Sequence, residues 1–101
     1  MQPPFAATGT FPTGKASQYL QQLCKHFAHK IEVRYDPTSA EAALPTGPCI
    51  MAAGDDLLTI GVTAPDAEGL ARAKAIVDDH LARFAHREDF TTMDWTDHPA
   101  G

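Results

Sequence analysis

Two apolar patterns of different period divide the chain. From residue 16 to about 29, Ala16, Leu20, Leu23 and Phe27 recur at helical spacing with Tyr19 and Cys24 flanking the stripe, which predicts an amphipathic helix. Leu70, Ala73, Val77, Leu81 and Phe84 predict a second, longer helix that frays near Glu88. Pro65 suits its first turn, and Asp66 suits the cap or the positive end of the dipole. Between the helices the period falls to two. Residues 31–35, 39–44, 48–53 and 57–63 read as strands, most clearly where Leu58, Ile60 and Val62 alternate with smaller residues, and Ile31, Val33 and Tyr35 show the same period. The intervening turns at 36–38, 45–47 and 54–56 are short enough for consecutive antiparallel hairpins, so this stretch reads as a meander. Residues 5–11 give a first strand, broken by Pro12-Thr13-Gly14, and a last extended piece runs through Met93 and Trp95 into a loose tail at 97–101.

The order β-α-β-β-β-β-α-β predicts an α+β fold: a two-layer sandwich of a mainly antiparallel sheet with both helices on one face. Such a sheet leaves its other face uncovered. Period two places Leu57, Thr59 and Gly61 there, with Ile50 and Ala52, and these small and apolar residues suggest a homodimer interface or a ligand floor.

Length and composition bound the answer without choosing it. A chain of 101 residues fills one core, which predicts a single domain over 1–101 with its ordered part at about 5–96. The net charge of -5 weighs against a general nucleic-acid binder, because neutralising phosphates needs a surplus of Lys and Arg. Cys24 and Cys49 stand far apart with no CxxC pair, so reduced, buried thiols are expected in place of a disulfide scaffold or zinc ribbon. Neither a basic-then-apolar leader nor an apolar run of membrane-spanning length is present, and a cytoplasmic protein without membrane contact is expected.

Candidate chemistry gathers at the helix ends, where Phe-Ala-His-basic occurs twice, as 27–30 and 84–87. His80, Arg83 and Arg87 fall on one flank of the second helix, and His26 and Lys30 fall on the same-handed flank of the first. These five could frame a site for an anionic small molecule. If the helices run antiparallel, however, their C-terminal ends lie at opposite ends of the pair and the flanks meet only in part. Cations in a last turn also have a purely structural use, since they complement the dipole by about 0.3–1 kcal/mol at each end. Cys24, His26 and His29 have the donor chemistry of a soft-metal site, but at about 100° per residue they point in three directions, so no metal is expected. Gly9 to Ala16 nearly match the phosphate-cradling G-x-x-x-x-G-K-[ST], yet Ala16 stands where a magnesium-binding hydroxyl belongs, and a turn capped by Thr13 or Ser17 is the better reading. Asp78 and Asp79 point about 100° apart and read as a solvated face, His80 as a packed histidine at the core edge, and Trp95 as a residue closing the core. With no nucleophile beside a base, catalysis is not indicated and no cofactor is expected.

Leu23-Cys24-Lys25-His26-Phe27-Ala28-His29-Lys30, the stretch from His80 to Glu88, and Asp94-Trp95 resemble a bacterial family known only as domain of unknown function 2218. The Ala-Ser-x-Tyr-Leu helix start at 16–20, Gly-x-Cys at 47–49 and the acidic turn Asp55-Asp56 fit the same pattern, so the resemblance covers nearly the whole chain. It implies a stand-alone small protein, or a domain placed ahead of a flavin-dependent siderophore-interacting reductase, and hence an association with iron handling. A family site would rest on Cys24, His26, His29, Arg83 and Arg87. His86 departs from the pattern, whose residue there is usually aromatic. The combined reading is a non-catalytic binding or accessory module acting through a homodimer or protein partner. The alternative is an enzyme or ligand-binding domain that uses His26, Lys30, His80, Arg83 and Arg87 on an anion.

Overall fold

Alternating burial defines the sheet. In the computed structural model, which describes residues 5–88 and 90–98, every second residue of β3 (Ser39–Leu44) and β5 (Leu57–Ala64) is buried, as are Cys49 and Met51 in the middle of β4 (Gly47–Ala53), with Leu58, Ile60 and Val62 almost fully removed from solvent. β1 (Phe5–Pro12), β2 (Val33–Tyr35) and β6 (Asp94–His98) complete six strands in the order β2-β3-β4-β5-β1-β6, and every neighbouring pair is antiparallel. The fold is therefore α+β with the expected element order, and β2 to β5 form the predicted meander. The first strand pairs across almost the whole chain, with β5 on one side and β6 on the other.

Helices α1 (Ala16–Phe27) and α2 (Ala67–Phe84) cover one sheet face, α1 touching β2 through β5 and α2 touching β5 and β1. Leu20, Leu23, Cys24 and Phe27 from α1 and Leu70, Ala73, Val77 and Leu81 from α2 join the inward strand residues in one continuous core. Across the helix pair the contacts run in opposite chain order: Tyr19 reaches Glu88, while Phe27 lies against His80 with ring centroids 5.0 Å apart. The helices thus run antiparallel. At about 1.5 Å per residue α1 is about two-thirds the length of α2, and it is offset toward the C-terminal half of its partner.

Several boundaries differ from the sequence reading for local reasons. Helix α1 stops at Phe27, because the N–H groups of His29 and Lys30 turn back to the carbonyls of His26 and Phe27 (3.2 and 3.0 Å). Ile31 donates its N–H to Phe27 as well, so β2 begins at Val33 and Ile31 belongs to the connection. At the narrow edge of the sheet Tyr35 stays exposed despite its inward phase. Asp66 caps α2 by accepting from the N–H of Gly69 at 2.6 Å, and Pro65 precedes that cap instead of entering the first turn. Asp97 and His98 are not loose: they pair with Ala7 and Ala6 in β6, and Asp97 forms an ion pair with Lys74 at 2.5 Å.

Two glycines are required. A Cβ at Gly9 would lie 2.9 Å from the Trp95 ring, and Gly47 combines a φ of +149° with a Cβ position 2.5 Å from Thr63 Oγ1. No helix among the described residues is long and apolar enough to cross a membrane.

Candidate functional site

The offset between the helices determines which side chains meet. The last turn of α1 lies beside the last two turns of α2 instead of reaching past them, so His26 comes within 6.1 Å of His80 and 5.0 Å of Phe84, ring centre to ring centre. Between these turns and the β3–β4 turn is a cleft of about 380 Å3. His26, His29, Lys30, His80 and Arg83 form its polar lining, over a floor of Phe27, Ile31, Leu44, Pro45 and Ile76. Phe27 and Leu44 are nearly buried, which makes the floor part of the core surface.

Four of the five residues singled out from the sequence therefore share one concavity. The expected separation of the helix ends is corrected in part: the helices are antiparallel, yet unequal length and stagger let the flanks meet. Arg87 lies beyond the rim, in a 3-10 turn at His86–Glu88. His29 is exposed and contributes to the rim, whereas His86 stays outside and places Nδ1 3.2 Å from the carbonyl of Arg83. The floor residues Ile31, Leu44 and Ile76 carried no sequence signal for a site, because an apolar residue at a cleft and one in the core have the same pattern.

The charged side chains that line the cleft have one sign. Among the described residues no Asp or Glu lines it, although the chain carries a net charge of -5. Of the ion pairs among the described residues, Arg34–Glu41 and Lys74–Asp97, neither uses Lys30 or Arg83. His80 is half-buried, and its Nδ1 lies 2.7 Å from the carbonyl of Ile76. A carbonyl only accepts, so Nδ1 carries the proton and Nε2 remains as the ring's other polar atom. A groove of about 570 Å3 between α2 and β6 is larger, but its lysine, Lys74, is already matched by Asp97.

Other candidate groups serve the fold. Cys24 and Cys49 are buried free thiols; burial pushes Cys24 up to about 11, and burial followed by the nearby Cys24 pushes Cys49 up to about 12, so neither is a ready thiolate at neutral pH. Cys24 turns into the core while His26 and His29 both line the cleft, His29 from beyond the end of α1 where helical phase no longer applies, and the described residues hold no cluster of three potential metal ligands. In the near-match to a phosphate loop, Thr13 is buried, accepts from the N–H of Lys15 at 3.1 Å and donates to the Glu88 carboxylate at 2.9 Å. Its hydroxyl is not a helix cap, and neither is that of Ser17, which donates to the Pro37 carbonyl.

Two carboxylates are tied down where the sequence suggested solvent or fraying. Asp78 accepts from the Trp95 indole N–H at 3.0 Å, the Thr92 hydroxyl at 2.7 Å and the backbone N–H of Met93 at 3.0 Å, which joins α2 to β6. Glu88 accepts from Tyr19 as well as Thr13 and holds the end of α2 to the start of α1. Neither role is legible in the sequence, because each depends on partners distant in the chain.

The sequence profile of a family described as an uncharacterized protein conserved in bacteria (DUF2218) matches residues 8–96. A solved structure titled as the NMR structure of PA4090 from Pseudomonas aeruginosa is similar with a TM-score of 0.73 at 31% identity, over 95% of this chain and 97% of that one. No curated protein matches.

Proposed function

We propose a function for this chain, which belongs to the DUF2218 family of bacterial proteins, from its interhelical cleft: it is a non-catalytic module that holds a small anionic molecule. The observation that carries the reading is convergence. His26, Lys30, His80 and Arg83, from two helix ends, line one concavity with no carboxylate among them. Dipole compensation alone would be served equally well by cations pointing separately into solvent. An acidic chain that gathers cationic side chains, and among the described residues no carboxylate, on one concave surface favours anions there and disfavours cations. A binding role is preferred to catalysis because nothing at the rim pairs a nucleophile with a base.

The test is a titration of isotope-labelled protein with small anions at constant ionic strength. Shifts should cluster at residues 26–31 and 76–83 and should largely vanish in the double variant Lys30→Gln, Arg83→Gln. Shifts that survive in that variant, or that centre elsewhere, would refute the reading. The association with iron handling implied by the family resemblance adds ferric siderophores to the anions tested, and the same variant decides whether any response belongs to the cleft.

A second reading rests on the uncovered sheet face. Ile50 (53% exposed) and Leu57 (37%) stand there among Ala52, Thr59 and Gly61, an apolar, small-residue surface suited to a second copy of the chain. Sedimentation equilibrium should then give a dimer that Ile50→Glu converts to monomer. A wild-type protein that stays monomeric at high concentration would exclude this interface.

A further inference from the structure

The cleft also restricts the kind of anion it accepts, an inference that rests on the anion-binding reading above. We infer that its ligand is a compact organic monoanion, a carboxylate on an apolar body, with the head at Arg83 and Lys30 and the body on Phe27, Ile31, Leu44 and Ile76.

Phosphate sites built on helices use free backbone N–H groups at an N-terminus, where the dipole also favours negative charge. This cleft has the opposite construction. On its α1 side the N–H groups of Ala28, His29, Lys30 and Ile31 are all spent on carbonyls of the same helix, at 2.9, 3.2, 3.0 and 2.9 Å. Anion recognition is left to side chains. Both helices contribute their C-terminal turns, the negative ends of their dipoles, so each added charge on a ligand meets a growing cost that Lys30 and Arg83 offset for about one unit. A polyphosphate is therefore a poor match, and a single carboxylate, which a guanidinium fork can grip with two hydrogen bonds, is a good one.

The floor supplies the other half of the specificity. Five of the ten lining residues are apolar, and Phe27 and Leu44 among them are only 6% exposed, so the base of the cleft offers an incoming polar group nothing to bond. The volume of about 380 Å3 lies near the lower end of small-molecule pockets, about 300–1,000 Å3, which favours a body of modest size.

Five probes separate head from body: hexanoate, benzoate, acetate, inorganic phosphate and 1-hexanol, each followed by chemical shifts of the cleft residues at equal ionic strength. Hexanoate and benzoate should bind at least about tenfold tighter than the other three, and Arg83→Gln should weaken hexanoate by about tenfold while leaving 1-hexanol unchanged. Acetate or phosphate binding as tightly as hexanoate would overturn the inference and leave the anion-binding reading standing. Hexanol matching hexanoate, with Arg83→Gln silent, would overturn both, as would the absence of any shift at the cleft with all five probes.

Discussion

Asp78 and Asp79 are neighbours on α2 with different roles. Asp78 accepts three hydrogen bonds from the segment 92–95, whereas Asp79 is exposed. Asp78→Ala strands the Trp95 indole N–H and the Met93 N–H, which should cost about 2–3 kcal/mol, while Asp79→Ala should stay within about 0.5 kcal/mol. Urea unfolding followed by tryptophan fluorescence checks both; equal effects would show that the carboxylate tie is not stabilising. Adjacent identical letters cannot reveal this difference, because the donors arrive from β6 and the loop before it.

Tyr19 gives a pH signature at the same scale. Burial first, then the hydrogen bond to Glu88 and its charge, push the phenol from 10.0 up to about 12. A raised pKa means that the folded state favours the neutral phenol. The resulting stabilisation is fully present below pH 10 and is lost as the pH climbs toward 12. Cys24 and Cys49 are raised in the same direction, so the diagnostic quantity is the difference between wild type and Tyr19→Phe. Wild type should lose more stability than the variant between pH 10 and about 12. Parallel losses would contradict the assignment to Tyr19.

At the level of elements, the sequence was most legible where a period repeats. Period two assigned Leu58, Ile60 and Val62 to the core and Leu57, Ile50 and Ala52 to the open face, and the burial of β4 and β5 agrees residue by residue. Strand ends were less legible. Ile31 has strand phase but donates its N–H to α1, and 97–98 look like a polar tail yet pair with β1. The position of β1 between β5 and β6 depends on long-range pairing that a local window cannot contain. Gly9 is the residue that admits β6 there. Gly9→Ala would press a methyl into the Trp95 ring and should cost about 1–3 kcal/mol, with amide exchange quickening across 94–98 ahead of the rest of the sheet. Unchanged exchange in β6 would contradict this account of its packing.

For the whole molecule, the relation between α1 and α2 decides whether two ordinary helix ends become a site. The candidate residues His26, Lys30, His80 and Arg83 were identifiable from their flanks, but their convergence was not, because it follows from the unequal lengths of the helices and their offset on the sheet. Arg87 has the right phase and falls outside the cleft, since the 3-10 turn carries it past the rim. The floor was silent in sequence for the same reason: Ile31, Leu44 and Ile76 come from three separate segments. The central claim is that an anion with an apolar body is held here, and intermolecular NOEs from bound benzoate test it most directly. The ring protons should show contacts to the methyl groups of Ile31, Leu44 and Ile76 and to the Phe27 ring. Contacts confined to Ile50 and Leu57 on the open sheet face, or no contacts at all under saturating benzoate, would contradict it.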